Sequence, residues 1–453
     1  MVEKTYRLIY KQLIKLFAGF TLATVLIFDC CAQRGPSLIS DDETQTFLAN
    51  IIRPLFNVAG ISFDENKIFI VNDNSLNAFV SNGNYMFVHT GTLINADNVN
   101  ELSGILAHET GHIAGGHIAR QKLRLEQMQT LSVASLIAAG AAAAASGRGD
   151  AALAVMLGSQ SSLLNALSAY QMQEERSADE SAIKYLAQTE QSAKGLRNFM
   201  KKIQSHNRLS GYNEVSYFRT HPLSMEREQF FNEALKNNSF SDISPYDEDF
   251  KLIKAKLSAF LLPIERAQNM YPVDDVSKAG LYANAIINYK KSNFNKAISI
   301  LNKLIKQDPK NPYFYELKGQ FLFESSRLKP ALNAYKKALE LKPSSNEIML
   351  SWAHTSLELP HDKQTLQKII TVLNRIQHKN PSSTGWLLLA RAYDENGQKP
   401  YALYCSAQYS LTIGNIEIAK KQINQASIEA PESLKLKLAD LKNFITQKEE
   451  NGN

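Results

Sequence analysis

The sequence has little cysteine, which limits how the folded chain can be held together. Only three of its 453 residues are cysteine, too few for the disulfide framework of a small secreted scaffold. Cys30 and Cys31 are adjacent near the amino terminus, and Cys405 is alone far downstream. The composition is compatible with an oxidising compartment, and at this length we expect two or more domains with hydrophobic cores of their own.

A large excess of charge of one sign is also lacking. The formal net charge is +6, and the basic residues are dispersed along the chain. Domains that bind nucleic acid concentrate lysine and arginine on one face or along one helix. We therefore predict that nucleic acid is not a partner.

The first 32 residues have the pattern of a secretory signal peptide rather than of a membrane span. The apolar run at 16–28 is short for a bilayer and follows the basic residues Lys4, Arg7, Lys11 and Lys15. Ala32, with Cys30 two positions before it, forms a small-x-small cleavage site, so we predict cleavage before Gln33 and a periplasmic location. The alternative is an uncleaved leader that anchors the chain to the inner membrane, and the residues before Cys30 match a lipoprotein signal poorly.

The chemistry of the chain is concentrated in the segment His108-Glu109-Thr110-Gly111-His112. Apolar residues at helical spacing around it predict a helix with a buried face, on which His108 and His112 lie one turn apart on the same side. Two imidazoles in this position can share one zinc ion, and Glu109 beside them can take the proton of an attacking water. With nine histidines in the chain, composition alone would produce the pattern with a probability of roughly 0.01. The alternative, a helix with two surface histidines, is disfavoured because polar groups among core residues need partners.

A zinc site of this kind needs a third ligand, and an acidic pair downstream contains one candidate. Glu175 and Asp179 are four residues apart in a segment expected to be helical, so they share a face. Glu175 can complete a two-histidine, one-glutamate site that leaves the fourth position to water. Asp179 can accept the outer N–H of a ligand histidine, which we predict to be His108. Taken alone, this charged run is equally well explained as a solvated helix face.

A competing set of ligands fails on spacing. Metzincins place a third histidine six residues after the second, and that position here is Ile118. His117 misses it by one residue. We therefore interpret His117 as a structural histidine near the end of the helix.

Two residues further along are candidates for the same site. His221 precedes Pro222, which favours an extended, fixed loop, and Arg227 lies six residues later. Both are candidates to stabilise the oxyanion, and His221 could instead occupy the open zinc position while the enzyme rests. A histidine before a proline in a loop is, however, more often incidental.

Upstream of the motif, the pattern predicts one helix and a small sheet. Residues 41–59 carry apolar side chains on one side of a helix, and a turn at Asn82-Gly83-Asn84 joins two of the three β-rich runs that follow. We predict an antiparallel sheet leading into the zinc helix, with an edge strand near Ala78, Phe79 and Val80 that accepts the substrate backbone as an added strand. An ordinary structural hairpin is the alternative. The β-rich runs are at 67–71, 77–80 and 85–89.

A run of small and apolar residues covers 131–167 and is broken only at 146–150. Each arm is short for a bilayer. We interpret the run as a helical hairpin or flap beside the site and as a candidate for peripheral membrane contact. Two buried core helices explain it at least as well.

Beyond about residue 270 the sequence becomes a repeat. Ala297 and Ala331, and likewise Pro309 and Pro343, are 34 residues apart, which is the tetratricopeptide period. A stack of such helix pairs presents a concave face for peptides or protein segments. The later pairs are less regular in their spacing, and a generic helical bundle is the weaker alternative.

In combination, these features resemble the BepA-like periplasmic zinc metallopeptidases. The leader, His108-Glu109-x-x-His112, Glu175-x-x-x-Asp179, His221-Pro222 and carboxy-terminal repeats occur in this order in that family. The resemblance extends over essentially the whole chain and implies an α+β gluzincin-type metallopeptidase domain followed by an all-α tetratricopeptide-repeat solenoid. It implies one Zn²⁺ per chain, held by His108, His112 and Glu175. It also implies that Glu109 is the base, that His221 is a gating histidine and that Arg227 is a basic residue near the site.

The predicted organisation is a signal peptide at 1–32, a metallopeptidase domain at 33–270 and a repeat domain at 271–453. The predicted function is that of a periplasmic zinc endopeptidase in the quality control and assembly of outer-membrane proteins. The resemblance implies unfolded or misassembled outer-membrane proteins as substrates and, through the repeats, the outer-membrane assembly machinery as a partner. The alternative is mainly a chaperone or adaptor for that machinery, with the peptidase site held shut by His221.

Overall fold

The computed structural model describes residues 37–124, 126–128, 131, 149–210, 217, 221–222, 224–237, 240 and 242–451. The predicted leader at 1–32 lies outside them, and so does 132–148, which holds most of the first arm of the predicted apolar hairpin. Within the described residues, no helix has both the length and the apolar character needed to cross a bilayer.

The amino-terminal half combines a small four-stranded sheet with helices. The predicted helix at 41–59 is present as the first helix, and Asp41 caps it by accepting a hydrogen bond from Thr44 N at 3.1 Å. The strands are β1 (Leu38–Ile39), β2 (Ile68–Val71), β3 (Ala78–Ser81) and β4 (Tyr85–His89), and the helices are α1 (Asp42–Val58), α2 (Thr90–Asn95), α3 (Val99–Ala114), α4 (Gly149–Gln188), α5 (Lys194–Ser210) and α6 (Met225–Ala234).

The prediction of an antiparallel sheet is wrong for one pair of strands. The strand order is β1-β2-β4-β3, and β2 runs parallel to β4, whereas β1–β2 and β3–β4 are antiparallel. The predicted hairpin is present, but β4 takes the place beside β2, where Met86 and Val88 are completely buried. The chain crosses the end of the sheet between β2 and β3, where Gly91 N donates to Asp73 O at 2.8 Å. As a result, β3 lies at one edge of the described sheet.

The motif helix α3 lies at the centre of this half, and its glycines allow neighbouring helices to approach closely. A Cβ atom at Gly104 would lie 2.5 Å from Leu196 N on α5, and one at Gly111 would lie 2.8 Å from Ala178 O on α4. These distances are too short for any side chain larger than hydrogen. The second arm of the predicted apolar hairpin is continuous with α4, a helix of 40 residues that also carries the predicted third ligand.

The carboxy-terminal half is helical throughout its described length. Successive first helices of the pairs begin at Lys278, Pro312 and Asn346, which repeats the 34-residue spacing of the sequence twice. Tyr289 stacks on Phe321 of the next pair, with ring centroids 3.9 Å apart. The helices are α7 (Asp247–Leu261), α8 (Ile264–Met270), α9 (Lys278–Lys290), α10 (Phe294–Gln307), α11 (Pro312–Glu324), α12 (Leu328–Leu341), α13 (Asn346–Leu357), α14 (Lys363–Lys379), α15 (Ser383–Glu395), α16 (Lys399–Thr412), α17 (Ile416–Ile428) and α18 (Glu432–Asn451).

The two halves share one hydrophobic core. It extends from Phe47 on α1 through Phe250 on α7 to Phe314 on α11. A buried group of charges crosses the same contact, because Lys256 on α7 pairs with Asp41 and with Glu43 Oε2, the latter at 3.0 Å. We call this group, together with Tyr282 and Glu316, the junction. The division after residue 270 stays a prediction from the sequence.

Candidate metal centre

Helix α3 carries three of the predicted site residues on one buried face. His108 and Glu109 are completely buried and His112 is 6% exposed. The Nε2 atoms of His108 and His112 are 3.0 Å apart, with the ring planes at 72° to each other. The spacing of one helical turn therefore directs both ring nitrogens to the same point.

Glu175 on α4 faces the same point. Its Oε2 lies 3.3 Å from His108 Nε2, and its Oε1 lies 3.3 Å from His112 Nε2. The contact of Gly111 with the backbone of Ala178 brings α4 this close to α3. The structure thus brings together the three predicted ligands.

His221 completes the group from a loop. Its Nδ1 lies 2.9 Å from Glu175 Oε1 and 3.4 Å from His108 Nε2, and its ring stacks on Tyr217 with centroids 4.5 Å apart. One ligand atom from each of His108, His112, Glu175 and His221 lies within 4.8 Å of the other three. The side chain predicted as a gate is therefore within the metal-binding group.

The electrostatics of this group suit a bound cation. Burial lowers the pKa of His112 to about 3, so its ring is neutral at pH 7 and has a lone pair for a metal. Burial would raise the pKa of Glu175, but the charge of His221 and the hydrogen bonds with His108 and His112 outweigh it and keep the carboxyl ionised. Burial would likewise lower the pKa of His108, yet Asp179 and Glu175 raise it to about 10, so the pocket favours positive charge at its centre. Imidazole and carboxylate ligands around such a point fit a divalent metal ion.

Glu109 is placed differently from the ligands. Both of its carboxylate oxygens are buried and accept no hydrogen bond within the described residues, and the nearest ring nitrogen, His221 Nε2, is 3.5 Å from Oε1. Burial raises the pKa of Glu109, while the charges of His221 and His108 oppose the increase. A buried carboxylate without donors beside a metal site is ready to accept a proton from water.

Asp179 and Arg227 lie behind the ligands. Asp179 Oδ1 is 2.8 Å from His108 Nδ1, and the Arg227 guanidinium donates to both Asp179 oxygens, at 2.6 and 2.9 Å. Arg227 Nη1 also lies 2.9 Å from Glu175 Oε2 and donates to Pro222 O at 2.8 Å. All three guanidinium nitrogens contact these groups, so Arg227 is placed to hold Asp179 and Glu175, and its predicted contact with the oxyanion stays a prediction.

His117 contacts His112, and the interpretation of His117 as a structural histidine did not predict this contact. His117 is 2% exposed, and its Nδ1 lies 2.8 Å from Nδ1 of His112, the nitrogen that points away from the ligands. The chain returns to the helix through Gly115 and Gly116, and Gly116 has φ +65°. A histidine five residues after the second ligand, following two glycines, was the available signal in the sequence.

The residues predicted to bind substrate lie on the edge strand β3. Ala78 and Val80 are buried on the side that packs against the helices, and Phe79 lies on the opposite face of the sheet. The strand is antiparallel to β4 on one side, and in the described part of the sheet no strand pairs with its other side.

The helix, the candidate ligands and the edge strand lie within a segment that matches a known protein family. Residues 42–234 match the sequence model of peptidase family M48. This part of the chain is an M48 peptidase domain. The M48 domain contains every predicted ligand, the base and the edge strand, and the protein is accordingly a metallopeptidase.

Similar proteins extend the likeness beyond the M48 domain. The beta-barrel assembly-enhancing protease of Escherichia coli K12 is 23% identical over 371 residues, which are 79% of this chain and 74% of that protein. A Vibrio cholerae protein provisionally given the same name is 24% identical over 408 residues, 87% of this chain and 82% of its own length. The crystal structure of yeast Tom70 covers 88% of this chain and 75% of its own, with 12% identity and a TM-score of 0.36.

Proposed function

We propose that this protein is a periplasmic zinc endopeptidase that acts on unfolded or misassembled outer-membrane proteins. The observation that carries the proposal is the convergence of His108, His112, Glu175 and His221 beside the buried carboxylate of Glu109, which accepts no hydrogen bond from the part of the chain that the structure describes. Two imidazoles and one carboxylate are the ligand set of catalytic zinc in peptidases of this type. We expect one Zn²⁺ per chain.

In this proposal the ligands are His108, His112 and Glu175. When bound, the metal lowers the pKa of a coordinated water and polarises the scissile carbonyl. Glu109 takes the proton of the attacking water and later delivers it to the leaving amine. His221, once displaced from the ligand group, is placed to donate a hydrogen bond to the oxyanion.

Three side chains hold the ligands in place. Asp179 Oδ1 lies 2.8 Å from Nδ1 of His108, Arg227 donates charge-assisted hydrogen bonds to both Asp179 oxygens, and the same guanidinium forms an ion pair with Glu175. His117 Nδ1 is placed to accept the Nδ1–H of His112, which directs the lone pair of His112 Nε2 to the metal.

The substrate class rests on the edge strand and on the named relatives. We infer that a substrate segment joins the sheet beside Ala78, Phe79 and Val80, because an edge strand offers its free backbone groups to an extended peptide. Unfolded barrel proteins expose such segments. The relatives named as beta-barrel assembly-enhancing proteases support this class of substrate, and the helical repeats support an interaction with outer-membrane assembly machinery.

Two variants test the hydrolytic function. Glu109→Gln is expected to lose at least 99% of the cleavage of a denatured model substrate, about 3 kcal/mol of transition-state stabilisation, while it retains its metal. Glu175→Gln is expected to lose metal, as measured by elemental analysis of the purified protein. Cleavage by Glu109→Gln at the wild-type rate would refute the hydrolytic mechanism, and an unchanged metal content in Glu175→Gln would remove Glu175 from the ligand set.

The position of His221 favours a second candidate function, that of an adaptor whose peptidase site is shut. With His221 as a fourth ligand, the metal would be held by protein groups alone and would have no position for water. His221→Ala distinguishes the two functions. Increased proteolysis supports a gated enzyme, whereas unchanged proteolysis together with lost partner binding supports the adaptor.

A further inference from the structure

Three phenylalanines form a single row across the sheet. In the strand register, Phe69 on β2 pairs with Phe87 on β4, and Phe87 pairs with Phe79 on β3. The ring centroids of Phe69 and Phe87 are 5.2 Å apart and those of Phe87 and Phe79 are 4.8 Å apart, with interplanar angles of 19° and 9°. We call these three side chains the aromatic row.

The aromatic row lies on the face of the sheet opposite the helices. Along each strand the residues beside these phenylalanines are buried against the core, and the phenylalanines themselves are only partly buried. Side chains alternate between the two faces of a strand, so the row shares one face from β2 to β3. It reaches the edge of the described sheet at Phe79.

The backbone of β3 shows which groups remain available at that edge. His89 N donates to Asn77 O at 3.0 Å, so Asn77 bonds towards β4. Hydrogen bonding alternates in direction along an antiparallel strand, and therefore Phe79 and Ser81 also bond towards β4. Ala78 and Val80 direct their N–H and C=O groups to the free edge.

These two facts place a substrate side chain on Phe79. A segment that pairs antiparallel with the N–H and C=O groups of Ala78 and Val80 has one residue opposite Phe79 in a non-hydrogen-bonded pair. The Cα atoms of such a pair are about 4.5 Å apart, the closest approach of side chains in a sheet. That substrate residue extends the aromatic row by a fourth member.

We propose that Phe79 is a specificity-determining residue that selects substrate segments with an aromatic or β-branched side chain at the position paired with it. The proposal rests on the proposed peptidase function and narrows its substrate class to strands with apolar residues at alternate positions. The substrate residues on either side of that position point to the helix side of the sheet, as Ala78 and Val80 do, so alternate substrate residues share the face of the aromatic row. Strands of membrane β-barrels have this period, with apolar residues on one face and polar residues on the other.

The test uses extended peptides in which a single phenylalanine is moved along an otherwise constant sequence. Aromatic cross-strand pairs favour binding by about two- to fivefold over alanine. We expect wild-type kcat/KM to increase by this factor for phenylalanine at one position near the cleaved bond. In Phe79→Ala the preference at that position should fall to about onefold.

Phe69→Ala is the matched control. It removes one ring from the same row two strands from the edge, so it should leave the position-specific preference unchanged. Phe79→Leu should retain part of the preference. A wild-type preference profile in Phe79→Ala would overturn the proposal, and so would a loss of preference in Phe69→Ala equal to that in Phe79→Ala.

Binding to the Glu109→Gln variant separates this inference from the catalytic one. If the wild-type enzyme cleaves no peptide but Glu109→Gln binds the series with a Phe79-dependent preference, the hydrolytic function fails and the specificity role stands. If cleavage occurs and neither kcat/KM nor affinity depends on Phe79, the specificity role alone fails.

Discussion

The metal centre and the junction are both buried clusters of charge, but they obtain their positive charge in different ways. In the junction, the ammonium group of Lys256 lies between Asp41 and Glu43, and Tyr282 donates a further hydrogen bond to Glu43 at 2.8 Å. In the metal centre, ring nitrogens and a carboxylate face a common point, and Arg227 stands behind them. In this protein the cation of the junction is a lysine side chain, whereas the metal centre has a group of side chains that could hold a metal ion.

The largest loss of folding stability is expected when the ammonium group of Lys256 is removed from the junction. Lys256→Met should destabilise the protein by about 3–5 kcal/mol, because Asp41 and Glu43 remain buried without a counter-charge. Denaturant unfolding at pH 7 measures the loss. Lys251→Met, on the exposed side of the same helix and paired with Glu248, is the control and should change stability by less than about 0.5 kcal/mol. Equal effects in the two variants would contradict the role given to Lys256.

Removal of the metal should have the next largest effect. A protein at a free metal concentration about 1,000 times the dissociation constant gains about 4 kcal/mol from binding. Chelation should therefore lower the thermal midpoint of the wild-type protein but not that of Glu175→Gln, which we expect to lack the metal. A thermal scan with and without chelator measures the difference. A wild-type midpoint that does not respond to chelation would show that the ion contributes nothing to folding.

His117 should tune the metal centre without binding the ion. Loss of a group that orients a ligand imidazole typically lowers metal affinity 10- to 100-fold, and we expect this range for His117→Ala in a competition assay with a metal-binding dye. His117→Gln, which keeps an acceptor for the His112 proton, should recover part of the affinity. His361→Ala, in the repeats, is the control. An unchanged affinity in His117→Ala would leave His117 as a packing residue.

The smallest expected effect is a pH-dependent change in folding stability, which is due to Glu316 in the junction. Burial raises the pKa of Glu316 to about 8, against the opposing charge of Lys256, so this carboxyl is neutral in the folded protein below that pH. A group whose pKa is raised on folding stabilises the fold fully below its unfolded pKa and loses that contribution as pH rises through its folded pKa. Glu316→Gln should therefore be more stable than wild type by about 1–2 kcal/mol at pH 8.5 and nearly equal at pH 4.5. An equal change at both pH values would exclude this titration.

The same comparison separates what local pattern could predict from what it could not. The spacing of His108 and His112, the Glu175–Asp179 pair and the helix at 42–58 follow from helical periodicity, which acts over a few residues, and the structure has them where they were expected. The parallel pairing of β2 with β4 depends on which strand becomes central, which periodicity within one strand does not encode. The His117 contact depends on a glycine turn.

The ion pairs of the junction could not be predicted from the sequence for a further reason. Lys256 and Asp41 are 215 residues apart in the sequence, and Lys256 belongs to an amphipathic helix in which a lysine is ordinarily solvated. Only the packing of α7 between α1 and α9 buries it. Ion pairs such as Lys256–Asp41 form only when distant segments pack together, whereas the two histidines of the His-Glu-x-x-His motif lie within one helical turn.

The close contact at Gly111 restricts a position that the notation His-Glu-x-x-His leaves unspecified. His-Glu-x-x-His leaves two positions open to any residue, but here the second of them touches Ala178 of α4, whose Cα would be 3.0 Å from an added Cβ. A methyl group at that point would push the backbone of α4 outwards and carry Glu175 with it, and metal–ligand distances tolerate only about 0.2 Å. The lack of a side chain at Gly111 thus sets how closely Glu175, the predicted ligand on α4, can approach the two histidines of α3.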